Sequence, residues 1–364
     1  MLQGSYSASS GSGRGKLVLG KYPYTYARVS VMRSFLLRKD DYNKMMKMNV
    51  NEMIGALESS QYKKEIDELA VQFKGVKLME LALNRNLANT WTKLKRISPP
   101  SLRVLIEVYL LRVDVWNVKT IIRAKYTKLD TAQLRAMLLP SGFLTEKKLA
   151  ELIKKESVED ILKSLDFISY KSFAKALESF RETKSVAEIE NALDRFYYSG
   201  MTEFSKRLPN EGRLFREFLE SELVISTIIN ILRLKRANTP AKDVWGYITV
   251  PEHGMERALA RKMLAAATPE DAAKLLEQSR FRAVAEIGLR EFLANKSLIR
   301  LELDLYRQLL KRSVLLIHQH PLSVDVILGY MFAKELEVRN LKLLFKAKQL
   351  GLGNEFVEQQ IITL

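Results

Sequence analysis

The sequence predicts an all-α protein assembled from three similar helical units of about 110 residues each. Apolar residues recur at helical spacing from Lys21 onward, which favours helices along most of the chain. One twelve-residue segment occurs three times, twice in closely similar form and once in a weaker form. Strand signals are scarce, because the best candidate, Trp245–Val250, is short and is bounded by Pro251. Together these observations favour a triplicated helical fold.

The repeated segment is a helix by its pattern. Its first copy is Asp114–Lys125 and its last is Glu337–Lys348, and an acid, an Asn and three basic residues stand at the same offsets in both. The acid lies at the start and the bases lie towards the end, which is the charge order that suits a helix dipole. The middle copy, Val224–Lys235, keeps the last two basic residues but lacks the acid and the Asn.

Other markers recur in the same register. A capping residue is followed three positions later by an acid, which predicts a helix start at Asn49, Ser157 and Thr268. A leucine follows each cap eight residues later and an aromatic residue thirteen later. A proline turn then precedes each copy of the repeated helix, at Pro99, Pro209 and Pro321. Chance explains one such match easily but explains a set in register poorly.

These markers divide the chain into four parts. Residues 1–20 are Gly/Ser-rich at their start and predict a flexible tail. Residues 21–129 form the first repeat and residues 130–239 the second. Residues 240–364 hold the third repeat and a C-terminal tail, and Gly351 or Gly353 is predicted to end the last long helix in a left-handed conformation.

Charge is the strongest signal in the composition. The 364 residues carry a formal net charge of +17, and the basic residues are spread along the chain. A broad positive surface indicates an acidic partner, a nucleic acid or the anionic leaflet of a membrane. The chain contains no cysteine, which excludes disulfides and thiolate chemistry, and an intracellular protein is expected. No apolar run reaches the length of a membrane span, and no secretory signal is expected.

No pattern typical of an active site is present. Phosphate-loop, nucleophile-elbow and metalloprotease motifs are absent from the sequence. His253, His318 and His320 are too poorly spaced for a metal site, so loop roles are expected. Trp91, Trp116 and Trp245 are expected to pack in the core. We therefore predict no catalytic residue, no metal and no cofactor.

The basic ends of the repeated helices are the candidate partner-binding residues. Lys119 and Arg123 share a helix face, as do Lys342 and Lys346. The full set, at matching positions of the repeat, comprises Lys119, Arg123, Lys125, Arg233, Lys235, Lys342, Lys346 and Lys348. One interpretation is that they only complement the helix dipole at its C-terminus. The other is that three equivalent helices surround one axis and grip a partner that lies on it.

The start of the first repeat resembles a known family. Lys21–Arg28, with the letters KYPYTYAR, and its continuation through Phe35–Arg38 resemble the N-terminus of the C subunits of archaeal-type (A-type) ATP synthases, which are related to the d subunit of the vacuolar ATPase. The resemblance covers about residues 17–364 and is supported by the triplicated helices. It implies three helical domains in a funnel with pseudo-threefold symmetry.

The same resemblance implies a mechanical function. The protein would be a non-catalytic rotor subunit that couples the central stalk to the membrane ion-translocating ring, at the cytoplasmic face of the membrane. Stalk subunits and the rotor ring would be its partners, with contact to an anionic membrane surface and no nucleic acid. The alternative is a basic helical-repeat scaffold for nucleic acid, to which the aromatic and basic residues of Tyr22–Arg28 lend some support. An enzyme ranks third.

Overall fold

The computed structural model of the chain describes residues 19–127, 129–239, 255–315 and 321–362, together with Val244 and Ile248. Within these residues all regular secondary structure is helical, so the all-α prediction is confirmed. The strand candidate Trp245–Val250 and residues 1–18 of the predicted tail lie outside the described residues, apart from the buried Ile248.

The chain divides into two compact units. The terminal unit combines Val18–Glu156 with Ser313–Leu364, so the two ends of the chain belong to one body. Its helices are α1 (Pro23–Ser34), α2 (Lys39–Met45), α3 (Val50–Glu58), α4 (Lys63–Ala70), α5 (Gly75–Arg96), α6 (Pro100–Thr127), α7 (Thr131–Met137), α8 (Glu146–Lys154), α17 (Val324–Leu350) and α18 (Asn354–Gln360).

The central unit contains Ser157–Arg312. Its helices are α9 (Val158–Lys163), α10 (Ala174–Thr183), α11 (Ala187–Lys206), α12 (Arg213–Arg236), α13 (Met255–Ala265), α14 (Pro269–Lys274), α15 (Arg282–Asn295) and most of α16 (Ile299–Leu315). Single 3₁₀ turns occur at Tyr170–Phe173, Asn210–Gly212 and Leu275–Gln278. Within this unit α12 packs against α11, α13 and α14.

Helix α17 is the core of the terminal unit. Every residue from Val324 to Lys334 is buried, so this first part of the helix is enclosed on all sides and, apart from Asp325 and Lys334, carries no charged side chain. It packs against α1, α3, α5 and α18, and α5 in turn contacts α4, α6 and α7. An enclosed helix explains why the sequence here is apolar on every face rather than along one stripe.

The three predicted helix starts are confirmed. Asn49 accepts a hydrogen bond from the backbone N–H of Glu52, whose carboxylate accepts one from the N–H of Asn49. Ser157 and Thr268 accept from the N–H of Asp160 and Asp271, and their hydroxyls donate to those carboxylates. The shorter Asp thus pairs with the hydroxyl, whereas the longer Glu closes a full capping box.

The predicted proline turns between helices and the predicted glycine helix end are also observed. Pro99 and Pro209 lie between α5 and α6 and between α11 and α12, and Pro321 precedes α17. Gly351 ends α17 with a φ of 67°, the left-handed conformation that glycine adopts without a steric penalty.

The C-terminal tail repeats an earlier element. Helix α18 is held to α17 by Asn340, whose amide donates to the carbonyl of Ile362 and accepts from its N–H. Helix α7 is followed by the same arrangement, in which Asn117 on α6 pairs with both backbone groups of Leu139. In both cases the paired residue stands 22 positions after the Asn. The tail therefore shares with the segment after α6 a short helix followed by a backbone pairing with the Asn of the preceding long helix. The repeat boundaries and the pseudo-threefold arrangement stay predictions.

Candidate partner-binding faces of the long helices

The three copies of the repeated segment lie on α6, α12 and α17, which we call the long helices. One face of α6 combines aromatic and basic residues. Trp116, Lys119, Arg123 and Tyr126 succeed one another at three- and four-residue steps, so they share a face. Trp116 is 41% exposed and Tyr126 is 49% exposed, with the exposed Arg123 and the half-buried Lys119 between them. Core packing is confirmed for Trp91, which is 2% exposed, but is wrong for Trp116, while Trp245 lies outside the described residues.

The corresponding face of α17 is basic as well. Lys342 donates a hydrogen bond to Oδ1 of Asn84, and burial lowers the pKa of Lys342. Lys346 is exposed and donates to Oε1 of Gln349 over 3.0 Å. The face therefore has one cation held against α5 and one at the surface.

The corresponding face of α12 differs. Ile229 replaces the first cation and is only 2% exposed. Arg233 forms a 2.5 Å ion pair with Glu302. Arg236, one turn further on, donates to the carbonyl of Lys296 over 2.9 Å. Both guanidinium groups therefore bind groups of α16 and of the turn before it.

The last lysine of each copy has the same contact in all three repeats. Lys125 donates to the carbonyl of Ile153 over 2.7 Å and Lys235 to that of Ala266 over 2.6 Å. Lys348 donates to the carbonyl of Met46 over 2.5 Å. All three carbonyls lie at the C-terminal end of a short helix, where carbonyls have no partner within the helix and a cation is favoured. Each of these long helices thus holds the C-terminal end of a short helix.

The acid of the repeated segment makes a second contact of this kind. Asp114 is buried and accepts from the N–H groups of Phe143 and Leu144, at 2.6 and 3.1 Å. Burial raises the pKa of Asp114 to about 7, although the two N–H groups oppose this shift. Glu337 accepts from the N–H of Leu37 over 2.5 Å. In the middle copy Val224 is buried and makes no contact of this type.

Glu337 also belongs to a buried polar cluster. Its carboxylate accepts from the hydroxyl of Tyr62 at 2.5 Å, from Gln61 at 3.0 Å and from the ammonium of Lys334 at 3.0 Å. Lys334 has no exposed surface, and it also donates to the Tyr62 hydroxyl at 2.8 Å. Desolvation lowers the pKa of Lys334, and the charge of Glu337 opposes that effect.

The structure divides the eight predicted residues into two groups. Lys125, Lys235 and Lys348 bind backbone carbonyls of their own chain. Of the others, Arg123, Arg233 and Lys346 are exposed, whereas Lys119 and Lys342 are half-buried. Their binding of a partner stays a prediction. Sequence reasoning recognised the acid and the Asn as repeat markers but missed that they bind loop backbone, because their partners lie 22 to 30 residues away.

The described residues offer little for a metal or a membrane span. Within them no group of three or more His, Cys, Asp or Glu side chains could hold a metal ion, and all three histidines lie outside them. No helix in the described part of the chain has the length and apolar composition needed to cross a bilayer.

Comparison with known proteins identifies the family. The model of the ATP synthase (C/AC39) subunit family matches residues 25–360. The C subunit of the A-type ATP synthase of Methanococcoides burtonii is 34% identical to this chain, and the alignment covers 94% of each protein. Its counterpart in Methanosarcina mazei is 32% identical over 94% of this chain and 93% of its own length. That of Haloferax volcanii is 30% identical over 94% and 97%.

These matches confirm the resemblance of the chain to the C subunits of A-type ATP synthases. The family model covers residues 25–360, which lie within the expected range of about 17–364 and include the repeated long helices. The chain therefore belongs to the ATP synthase (C/AC39) subunit family and is an ATP synthase subunit.

Proposed function

We propose that the chain is a non-catalytic rotor subunit that couples the central stalk of an A-type ATP synthase to the membrane ion-translocating ring. It would lie peripherally at the cytoplasmic face of the membrane, with the stalk subunits on one side and the rotor ring on the other. Membership of the ATP synthase (C/AC39) subunit family supports assembly into such a complex.

The observation that carries the proposal is the contact that recurs at the end of each long helix. In the first repeat α6 holds the start of the second through Lys125, and in the second α12 holds the start of the third through Lys235. In the third repeat α17 holds the start of the first through Lys348 and Glu337. This cyclic order of contacts supports three repeats around a common axis, whereas an open array would leave the last helix without a repeat to hold.

The outer faces of the long helices would then contact the stalk. The faces of α6 and α17 present Arg123 and Lys346 at the surface, and the face of α6 also carries the exposed aromatic side chains of Trp116 and Tyr126. Exposed cations around partly exposed aromatic residues suit a protein surface with carboxylates, because such charges steer association and the aromatic side chains supply buried area.

Co-purification is the direct test of the function. The tagged chain, isolated from membranes in mild detergent, is expected to bring down stalk and ring subunits, identified by mass spectrometry. The isolated chain is expected to turn over no nucleotide. Recovery without any ATP synthase subunit, or robust ATP hydrolysis by the pure chain, would reject the proposal.

The stalk-contacting face is tested by charge reversal. The pair Arg123→Glu and Lys346→Glu is expected to weaken binding of purified stalk subunits by at least tenfold, on the order of 1.4 kcal/mol. The matched control is Lys147→Glu with Lys175→Glu, two exposed lysines that lie on other helices. Calorimetric titration measures both pairs, and equal weakening in the two would place the stalk elsewhere.

A further inference from the structure

Helix α1 is apolar on both of its faces. Its inner face packs in the terminal unit through Thr25, Val29 and Met32, all buried. On its outer side Tyr24 is 63% exposed, and Val31 and Phe35 are each 59% exposed. A helix at a protein surface ordinarily turns polar residues outward, so the outer face of α1 departs from that pattern.

The exposed residues form one continuous stripe. Tyr24, Arg28, Val31 and Phe35 succeed one another at steps of four, three and four residues, which places them on a single line along the helix. Twelve residues of α1 span about 18 Å, and Phe35 continues the helical backbone at the C-cap. We call this line the α1 stripe. Val31 and Phe35 are neighbours on this line and Tyr24 lies on the other side of Arg28, and exposed apolar residues grouped in this way mark an interaction site.

The sequence around the α1 stripe is rich in basic residues. Residues 19–39 contain Lys21, Arg28, Arg33, Arg38 and Lys39 and no Asp or Glu, although the whole chain has 42 acidic residues. Lys21, Arg28, Arg38 and Lys39 are exposed. Cations therefore flank the stripe on both sides in the sequence, and the first acidic residues, Asp40 and Asp41, follow Lys39 in the first turn of α2.

The repeat architecture does not account for this surface. Helix α7 opens the second repeat as α1 opens the first, and it exposes Thr131, Gln133 and Arg135. Helix α18, which shares the Asn pairing of the segment after α6, exposes Glu355, Phe356 and Glu358. Their outer faces are polar or mixed in charge, so the apolar and basic face belongs to α1 alone among these three.

We infer that the α1 stripe binds the surface of an anionic lipid bilayer. Tyr24 and Phe35 would enter the headgroup region with Val31, since aromatic rings favour the boundary between water and hydrocarbon. Lys21, Arg28, Arg38 and Lys39 would bind lipid phosphates. A plane of uniform negative charge complements cations before, within and after the helix, and the helix would lie in that plane rather than cross it. This attachment is separate from coupling to the stalk, which uses other helices.

Vesicle co-sedimentation of the full chain tests the inference. The probes are vesicles of mixed phosphatidylglycerol and phosphatidylcholine, with vesicles of phosphatidylcholine alone for comparison, at low and at high salt. The variant is Tyr24→Ser, Val31→Ser and Phe35→Ser together. The matched control is Val71→Ser, Ile299→Ser and Leu350→Ser, which removes three other apolar side chains that are 86%, 71% and 61% exposed.

The wild-type chain and the control are expected to bind the anionic vesicles and to keep part of that binding at high salt, where the general attraction of a positive protein is screened. At high salt, the affinity of the α1 variant for the anionic vesicles is expected to be at least about tenfold lower than that of the wild-type chain. Equal binding by all three proteins, or binding only at low salt, would show attraction by net charge alone and would overturn the inference. If the α1 variant binds vesicles normally but loses a detergent-solubilised ring, the occupant is a protein and the lipid assignment is wrong.

Discussion

At the scale of single residues, the buried cluster around Glu337 ties the last repeat to the first. Lys334 and Glu337 lie one turn apart on α17, and their charges are satisfied by Tyr62, Gln61 and the N–H of Leu37. A fully buried ion pair contributes little net stability, yet loss of one member leaves the other charge without a partner. The cluster therefore fixes the position of α17 more than it adds free energy.

This asymmetry predicts the outcome of a mutant cycle. Lys334→Met is expected to lower the free energy of unfolding by about 3–5 kcal/mol, because the carboxylate of Glu337 stays buried without its cation. The double variant Lys334→Met, Glu337→Gln is expected to lose less free energy of unfolding than the sum of the losses in the two single variants. Urea denaturation measures the cycle. The control is Arg290→Met, which breaks a pair with Glu286 whose side chains are 73% and 62% exposed and should cost below about 1 kcal/mol. Additive losses at Lys334 and Glu337 would contradict the coupling.

Asp114 makes stability depend on pH. Because burial raises its pKa from the ordinary 3.8 to about 7, the folded chain binds this proton more tightly than the unfolded chain. Its contribution is full below about pH 4 and is lost as the pH rises through 7, with a slope of up to about 1.4 kcal/mol per pH unit. Asp114→Asn is expected to remove that slope.

The measurement is the free energy of unfolding between pH 4 and pH 8 in urea. Asp67→Asn serves as the control, because Asp67 is 55% exposed in a 3.7 Å surface pair and should leave the profile almost unchanged. A profile of the Asp114 variant with the wild-type slope would show that another group titrates in this range.

At the scale of elements, side chains of the long helices form hydrogen bonds with backbone groups of neighbouring short helices and loops. The side chains that do so stand at matched positions, and their partners are backbone groups of short helices and loops. Because the partners are backbone groups, the same hydrogen bonds recur although the partner sequences differ. Every residue has a carbonyl, and every residue except proline has an N–H. Gly142 fits this picture, because a Cβ there would stand 2.1 Å from Oδ2 of Asp114.

Two glycines predict opposite effects of the same substitution. At Gly288 in α15 an added Cβ would lie 2.4 Å from the Cα of Leu301, so Gly288→Ala must push α15 away from α16 and should destabilise by roughly 1–3 kcal/mol. At Gly55 in α3 nothing lies within 4 Å, so Gly55→Ala should stabilise by roughly 0.5–1 kcal/mol. Thermal unfolding of the two variants tests the pair, and a neutral Gly288→Ala would mean that the two helices pack less closely than described.

At the scale of the whole molecule, the sequence predicted contacts between residues close in the chain but not contacts between residues far apart in it. The caps at Asn49, Ser157 and Thr268 were predicted because partners three residues apart suffice. The basic residue Lys348 was predicted to bind a partner, yet its contact is the carbonyl of Met46, about 300 residues away. Helix α18 was expected as a plain tail, because its likeness to α7 lies in how Asn340 binds it and not in its own sequence.

The three-repeat arrangement is the property that the rest of the proposed function requires, and it has a direct measurement. The chain has no cysteine, so pairs of cysteines at positions 123, 233 and 346 can carry spin labels without background. These positions correspond in the repeated segment, being Arg123, Arg233 and Lys346. Repeats that surround one axis should give three similar distances by electron double resonance. Repeats in a line should give two equal distances and one about twice as long, because each step along a solenoid adds the same translation. Positions 147 and 175 do not correspond in the repeat and serve as the control pair. A distance between positions 123 and 346 far greater than the other two would contradict repeats that surround the stalk, and three similar distances would support them.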